Sequence, residues 1–225
     1  MSDLIDLLAR KQLVWKGHQT QPKQNTQSCG YPILDEKLAG GFPATGVVNI
    51  RSPLGIGELR VLMGTLSTQS RLLVFINPPG SICAEFFYHQ GYDLKKLLII
   101  NSRRKNEALW AAEQCLKSGA CGAVLLWQNV QEIHQIKRFQ MACEEGDCVQ
   151  FIMSPPTQNI TSLPVSLNMQ LTPHTQGLGV SITKRKGGRA IPEFALDMSA
   201  DWPALCCGKA NNVIHFPTAR HQKIV

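Results

Sequence analysis

The sequence is poor in charged and aromatic residues, and it lacks the cysteine patterns that mark metal sites. Charged residues make up 17% of the 225 residues and aromatic residues 7%. None of the eight cysteines forms a C-x-x-C pair, and no histidine and cysteine pairs have zinc-ligand spacing. No run approaches the roughly 20 apolar residues that a membrane span needs. We therefore expect no metal site, no membrane segment, and thiols that stay reduced in the cytoplasm.

The chain has enough hydrophobic residues to form a core, and it carries an excess of basic residues. Hydrophobic residues make up 44% of the sequence, which allows a sizeable buried core at this length. Lys and Arg number 23 against 16 Asp and Glu, so the formal net charge is +7. This excess favours nucleic acid or an acidic protein surface as a partner. A basic surface kept for solubility is the alternative explanation.

The N-terminal residues 1–28 form the first predicted unit. The sequence MSDLIDLLARK carries acids early and has no long apolar stretch, so we expect no signal peptide. Ser2 suits an N-cap, and the apolar residues Leu4, Leu7 and Leu8, followed by Trp15, predict a helix with a wide apolar face. A polar, glutamine-rich linker follows. The helix could dock on a neighbouring chain, giving a homo-oligomer or a partner contact, or fold back onto its own domain.

Apolar β-runs alternate with helical patterns through the middle of the chain. A short helix is expected at 33–38, closed by the glycines and proline of 40–43. The predicted strands are 47–50, 72–76, 97–100, 123–127 and 149–153, and the predicted helices between them are 57–68, 81–90, 105–117 and 130–145. Near-continuous apolar strands separated by helices predict a mostly parallel sheet with helices on both faces, the doubly wound α/β class.

The pattern changes after Met153. Runs at 165–171, 178–184 and 194–198, separated by turn residues, predict a C-terminal antiparallel extension of the same sheet. Residues 201–225 read as an irregular tail. The expected organisation is therefore an N-terminal helix and linker at 1–28, a core at 29–200 and a C-terminal tail.

The turn after the first predicted core strand stands where an α/β protein carries its phosphate-binding loop. In the G-x-x-x-x-G-K-[ST] pattern, glycines expose backbone N–H groups, Lys neutralises phosphate oxygens and Ser or Thr holds magnesium. Here Ser52, Gly55 and Gly57 keep the turn, but Glu58 stands at the Lys position and Leu59 at the hydroxyl position. A carboxylate next to a triphosphate repels it by about 1–4 kcal/mol per charge pair. The sequence therefore predicts a degenerate nucleotide site.

The other positions at which such a site carries its catalytic and magnesium-linked carboxylates lack these residues as well. After the second strand, where a catalytic carboxylate is expected, the chain has Asn77, Pro78, Pro79 and Gly80. After the fourth strand, where a magnesium-linked Asp is expected, it has Gln128. We therefore expect no catalytic residues, no bound cofactor and no enzymatic activity.

Three segments resemble the RecA-like P-loop NTPase-type core and, within it, the ImuA family of bacterial mutagenesis operons. Residues 8–17 look like that family's N-terminal L-x-R followed by W-[RK]-G. Residues 29–43 look like its T-G-x-x-x-L-D-x-x-L-P-G-G-G-x-P, with Cys29 for the Thr, Ala39 for the Pro and one Gly absent. Residues 183–188 resemble its late K-R-[RK]-G.

The resemblance implies a non-catalytic adaptor in SOS-induced translesion DNA synthesis and mutagenesis. The implied partners are RecA, ImuB (an inactive Y-family polymerase homologue) and an error-prone C-family DNA polymerase. SulA-like inhibitors of cell division share this degenerate core and bind the tubulin-like protein FtsZ. They are the alternative, and the long N-terminal region of this chain favours ImuA over them.

Two further features are candidates for partner contacts. Lys184, Arg185, Lys186 and Arg189 form the densest basic cluster, which could grip phosphates of single-stranded DNA or be a solvated turn. Trp127, at the end of a strand, could face a partner or pack in the core.

Overall fold

The computed structural model describes residues 25–130, 132–156 and 163–206. The described strands are β1 (Thr26–Gln27), β2 (Phe42–Pro43), β3 (Gly46–Arg51), β4 (Leu72–Ile76), β5 (Leu97–Ile100), β6 (Cys121–Trp127), β7 (Val149–Ser154), β8 (Leu167–His174), β9 (Gly177–Arg185) and β10 (Ile191–Asp197). The described α-helices are α1 (Pro32–Leu38), α2 (Met63–Ser67), α3 (Ala84–His89), α4 (Lys105–Lys117) and α5 (Ile133–Gly146). Short 3₁₀ turns lie at Arg60–Leu62, Leu94–Lys96 and Pro203–Leu205.

Eight strands form one twisted sheet in the order β10-β9-β8-β3-β7-β6-β4-β5. The pairs from β8 through to β5 are all parallel, while β9 and β10 are antiparallel to their neighbours. The prediction of a mostly parallel α/β sheet is therefore confirmed. The predicted antiparallel extension is present in the pairs β8–β9 and β9–β10, but β8 joins the rest of the sheet by a parallel pairing with β3. The sequence could not show this, because β8 lies beside β3 on the side away from β7, and a run of apolar residues does not record which strand it pairs with or in which direction.

Two apolar layers enclose the sheet. On one side, which we call the α1 face, Leu34 and Leu38 of α1, Leu66 of α2 and Phe87 of α3 pack on it. On the other side, the α4 face, Leu116 of α4 and Phe139 of α5 belong to a second buried cluster. Helices therefore cover both faces, as predicted. Within the described residues, no helix is long and apolar enough to cross a membrane.

A small second sheet joins the start of the described chain to the segment after α1. Thr26 and Gln27 of β1 pair antiparallel with Pro43 and Phe42 of β2, where the sequence predicted linker and helix closure. The pairing explains Gly41, whose φ is 110°. A Cβ at this position would lie 2.0 Å from the carbonyl oxygen of Gln27, so only glycine allows the two segments to meet.

One buried amide in the sheet is left without a partner. Gln150 of β7 is fully buried, between Val47 of β3 and Val124 of β6 in the strand register. Neither its Nε2 nor its Oε1 has a hydrogen-bond partner among the described residues. By contrast, the buried Asn49 of β3 donates to Asn168 Oδ1 of β8 at 2.8 Å. An unpaired buried amide opposes folding, whereas a paired one does not.

We expect Gln150→Met to raise the free energy of unfolding by about 1–2 kcal/mol, because an apolar side chain of similar length removes the unpaired groups. The matched control is Asn168→Leu, which should lower the free energy of unfolding because it removes the acceptor of the buried Asn49 Nδ2. Urea unfolding at pH 7 measures both variants. A Gln150→Met variant less stable than the parent would show that the amide has a partner outside the described residues.

Candidate functional site

The loop after β3 keeps the backbone of a tight turn but closes on itself. Ser52 donates its N–H to Ser154 O at 3.0 Å, which holds the loop to the end of β7. Its hydroxyl donates to Pro53 O at 3.0 Å. Gly55 and Gly57 have φ values of 81° and 99°, in the region that favours glycine. The predicted turn residues are thus in place, and the positive φ values explain why glycine stands at both positions.

Glu58 occupies the part of the loop that a phosphate would need. Only 8% of this residue is exposed, and its carboxylate accepts the N–H of Gly55 at 3.4 Å. In a phosphate loop the backbone N–H groups point at the ligand. Here one of them points at a carboxylate of the chain itself. A phosphate brought to this position would meet a partly desolvated negative charge, which increases the repulsion argued from the sequence.

The helix predicted at 57–68 differs from the observed structure. Arg60 N bonds Gly57 O at 2.9 Å and Leu62 N bonds Leu59 O at 3.0 Å, so the chain first forms a 3₁₀ turn. The α-helix α2 begins only at Met63 and has five residues. Leu59 packs against the core of the α1 face. The helix start that would supply aligned N–H groups to a phosphate therefore lies beyond the loop. A glutamate just ahead of a predicted helix is expected to stabilise the helix start, but Glu58 instead closes the loop onto Gly55.

A cavity of about 490 Å³ opens at the carboxyl ends of β3, β4, β6 and β7. The chain leaves β4 toward β5 on one side and leaves β6 toward β7 on the other, and such switch points are where α/β sheets bind ligands. Among the described residues that line it, Glu58 and Lys105 are the charged ones. Leu54, Trp127 and Met153 supply apolar surface. This lining suits an apolar group better than a polyphosphate.

The predicted catalytic positions reach this cavity in other roles. Asn77 has a φ of 52°, and its Oδ1 accepts the N–H of Ser102 at 2.7 Å, so it ties together the ends of β4 and β5.

Trp127, the candidate partner contact at the end of β6, stacks on Phe75 with ring centroids 6.2 Å apart, while part of its side chain lines the cavity. Trp127 is therefore both a core residue and a cavity residue.

The four residues of the basic cluster at the end of β9 fall into two pairs with different surroundings. Lys184 Nζ donates to Leu163 O at 2.6 Å, and Arg185 Nη1 donates to Lys37 O at 2.8 Å, so both side chains cap backbone carbonyls. Lys186 and Arg189 are exposed. The predicted phosphate contact, which remains a prediction, thus concerns the latter two.

The segment at 28–43 is held by one carboxylate. Asp35 accepts the N–H of Cys29 at 2.8 Å and the hydroxyl of Ser28. Burial opposes ionisation of Asp35, but these hydrogen bonds outweigh it and keep the pKa of Asp35 below its ordinary value. Leu34 and Leu38 bury the helix α1 against the sheet. The L-D motif therefore fixes this segment on the core.

Sequence reasoning missed a cluster beside this segment. Trp202 Nε1 donates to the hydroxyl of Tyr31 at 2.9 Å, and the guanidinium of Arg60 lies 4.8 Å from the centre of the Trp202 ring. Burial raises the pKa of Tyr31 to about 12, so its hydroxyl stays protonated at neutral pH. A tryptophan in an otherwise irregular segment was the available signal. The start of the predicted tail is thus packed on the core.

Comparison with known proteins gives matches centred on the middle of the chain. The family model "Cell division inhibitor SulA" matches residues 52–150, which run from the loop after β3 to the start of β7. SulA of Pectobacterium carotovorum is 29% identical over 118 residues, covering 52% of this chain and 70% of that protein. SulA of Pectobacterium atrosepticum is 28% identical over 117 residues. About half of the chain is therefore similar to SulA proteins.

Two further matches are weaker, one because it covers a small share of the matched protein and the other because its structural similarity is low. Protein RecA of Picosynechococcus is 25% identical over 134 residues, 58% of this chain but 38% of that protein. The crystal structure of SulA from Pseudomonas aeruginosa covers 48% of this chain and 98% of that chain at 22% identity, with a TM-score of 0.41. A TM-score below 0.5 does not establish a common fold. The family model and the two Pectobacterium proteins support a SulA-like relation, and the ImuA resemblance remains a prediction.

The predicted N-terminal contact residues Leu4, Leu7, Leu8 and Trp15 lie outside the described residues. The remaining predicted site residues are all described, and they fall into two groups. Ser52 and Glu58 of the loop after β3 line the cavity, and Leu59 packs against the core, whereas the basic cluster lies at the end of β9. The structure therefore separates the degenerate loop from the proposed phosphate contact.

Proposed function

We propose that this protein is a non-catalytic, SulA-like inhibitor of cell division, built on a RecA-like core, which binds FtsZ. The observation that carries the proposal is the match of the SulA family model to residues 52–150. That stretch contains the strands β4, β5 and β6, the first two residues of β7, and the helices α2 to α5 that pack on the sheet. Binding another protein requires a folded surface and no catalytic group, which agrees with the self-closed loop at Glu58.

FtsZ assembly in the presence of GTP tests this proposal directly. Sedimentation of FtsZ polymers should decrease in proportion to added protein, reaching a full loss near equimolar amounts, because a bound inhibitor removes subunits from the polymer. Light scattering gives the time course. Unchanged polymer at a tenfold molar excess of the protein would refute the proposal.

The proposed lack of catalytic activity is tested separately. Calorimetry with ATP and magnesium should give no saturable heat, because Glu58 lies where the phosphates would bind. A Glu58→Lys variant serves as the comparison, since it places a cation at the position where a phosphate-binding loop carries its Lys. Saturable binding and hydrolysis of ATP by the unchanged protein would show that the loop works as an ATPase site.

A second function is favoured by the segment at 28–43, which lies outside the SulA match and is held firmly by Asp35. In this alternative the protein is an ImuA-type adaptor of translesion synthesis that binds RecA, ImuB and an error-prone C-family DNA polymerase. Parallel pull-downs with FtsZ, RecA and ImuB separate the two proposals. Retention of RecA or ImuB without FtsZ would select the adaptor.

A further inference from the structure

The strand β5 (Leu97–Ile100) ends the eight-stranded sheet, and β4 is its one neighbour in the described structure. One row of its backbone N–H and C=O groups therefore faces outward. An outward row of this kind can accept a further strand. The four residues span about 13 Å, which is long enough to pair with a short extended segment.

Apolar side chains are exposed on both faces of this edge. Leu98 is 41% exposed and Ile99 is 43% exposed. Successive residues of a strand point to opposite faces. Leu97 packs against the core of the α1 face and Ile100 against that of the α4 face, so Ile99 lies on the first face and Leu98 on the second. Edge strands of soluble proteins usually carry a charge or a proline, and this one carries neither.

Basic residues lie on both sides of the apolar edge. Lys95 and Lys96 precede it, Arg103, Arg104 and Lys105 follow it, and all five are exposed. No acidic residue lies between Leu94 and Asn106, so this stretch holds five positive charges in a chain of net charge +7. The nearest acid after it, Glu107, is paired with Arg104 at 3.1 Å. The edge is therefore an apolar strip between two basic ends.

We propose that β5 accepts an extended apolar segment with acidic residues at both ends, supplied by a partner protein, as a ninth strand of the sheet. Backbone hydrogen bonds would give the pairing, Leu98 and Ile99 would cover the apolar side chains of the segment, and the basic ends would bind its acids. A second copy of this chain is a poor occupant. In an antiparallel pair related by a twofold axis, Lys95 and Lys96 of one copy would lie near Arg103 to Lys105 of the other.

The inference stands whether or not FtsZ is the partner, because it concerns the chemistry of the bound segment. The probes are two synthetic peptides that share a central Thr-Val-Thr-Val-Thr-Val and differ in their ends, three Glu or three Lys at each end. Fluorescence anisotropy measures their affinity, and amide hydrogen exchange measures protection of residues 98–100. The acidic peptide should bind at least tenfold more tightly and slow the exchange of these amides.

Charge reversal gives a matched pair of variants. Lys95→Glu with Lys96→Glu should lower the affinity for the acidic peptide at least tenfold. Lys186→Glu with Arg189→Glu changes the net charge equally at exposed positions near the opposite end of the sheet and should leave the affinity within twofold. Equal loss in both variants, binding without protection of residues 98–100, or no binding at millimolar peptide would overturn the proposal. A dimer that protects β5 at micromolar concentration would assign the edge to a second copy instead.

Discussion

We expect Gly64→Ala to lower the free energy of unfolding by about 3 kcal/mol. Gly64 lies in α2, where alanine normally stabilises a helix relative to glycine by about 1 kcal/mol. The tertiary structure reverses this sign, because a Cβ at Gly64 would lie 2.1 Å from the carbonyl oxygen of Cys29. That oxygen belongs to backbone, so the segment that carries Cys29 must move. The same segment is anchored through Thr65 Oγ1, which donates to Ser28 O at 3.0 Å.

Gly80→Ala is the matched control for this prediction. No heavy atom lies within 4 Å of a Cβ built at Gly80, and its φ is not in the left-handed region. It should change the free energy of unfolding by less than about 0.5 kcal/mol. Urea unfolding monitored by circular dichroism gives both values. A Gly64→Ala variant as stable as the parent would mean that the segment at 28–30 does not pack on α2 in solution.

Arg71→Met should lower the free energy of unfolding by about 2–4 kcal/mol. The guanidinium of Arg71, just before β4, donates to Gly119 O at 3.0 Å, to Gly146 O at 2.9 Å and to Asp147 O. These carbonyls follow α4 and end α5, where the negative ends of the helix dipoles favour a cation. One side chain thus joins two helix ends to the sheet. Its ion pair with the exposed Asp147 carboxylate, at 3.9 Å, adds little.

The comparison of Arg71→Met with Arg71→Lys separates charge from geometry. Lys keeps the positive charge but cannot donate in the planar fork of a guanidinium, so we expect it to recover less than half of the lost stability. Full recovery by Lys would assign the effect to charge alone. A Met variant within about 0.5 kcal/mol of the parent would show that the three carbonyls are satisfied by water.

The sequence alone predicts which stretches form the buried strands and shows which phosphate-binding residues the loop after β3 lacks. The apolar runs place β3 to β7 correctly because each buried strand needs a local stretch of apolar residues, which is visible without knowing its neighbours. The Glu58 and Leu59 substitutions are read directly from the chain. The charge of the stretch around β5 is also a local property, although its position at the edge of the sheet is not.

Contacts between distant parts of the chain decided the rest. The parallel pairing of β8 depends on its place beside β3 in the sheet, and the length of α2 depends on the 3₁₀ turn that Gly57 begins. The return of the Glu58 carboxylate to Gly55, the reach of Arg71 to two helix ends and the need for Gly64 each require the folded arrangement. Sequence patterns record which residues are buried. They do not record which atoms meet, because those contacts join segments far apart in the chain and arise only when the layers pack.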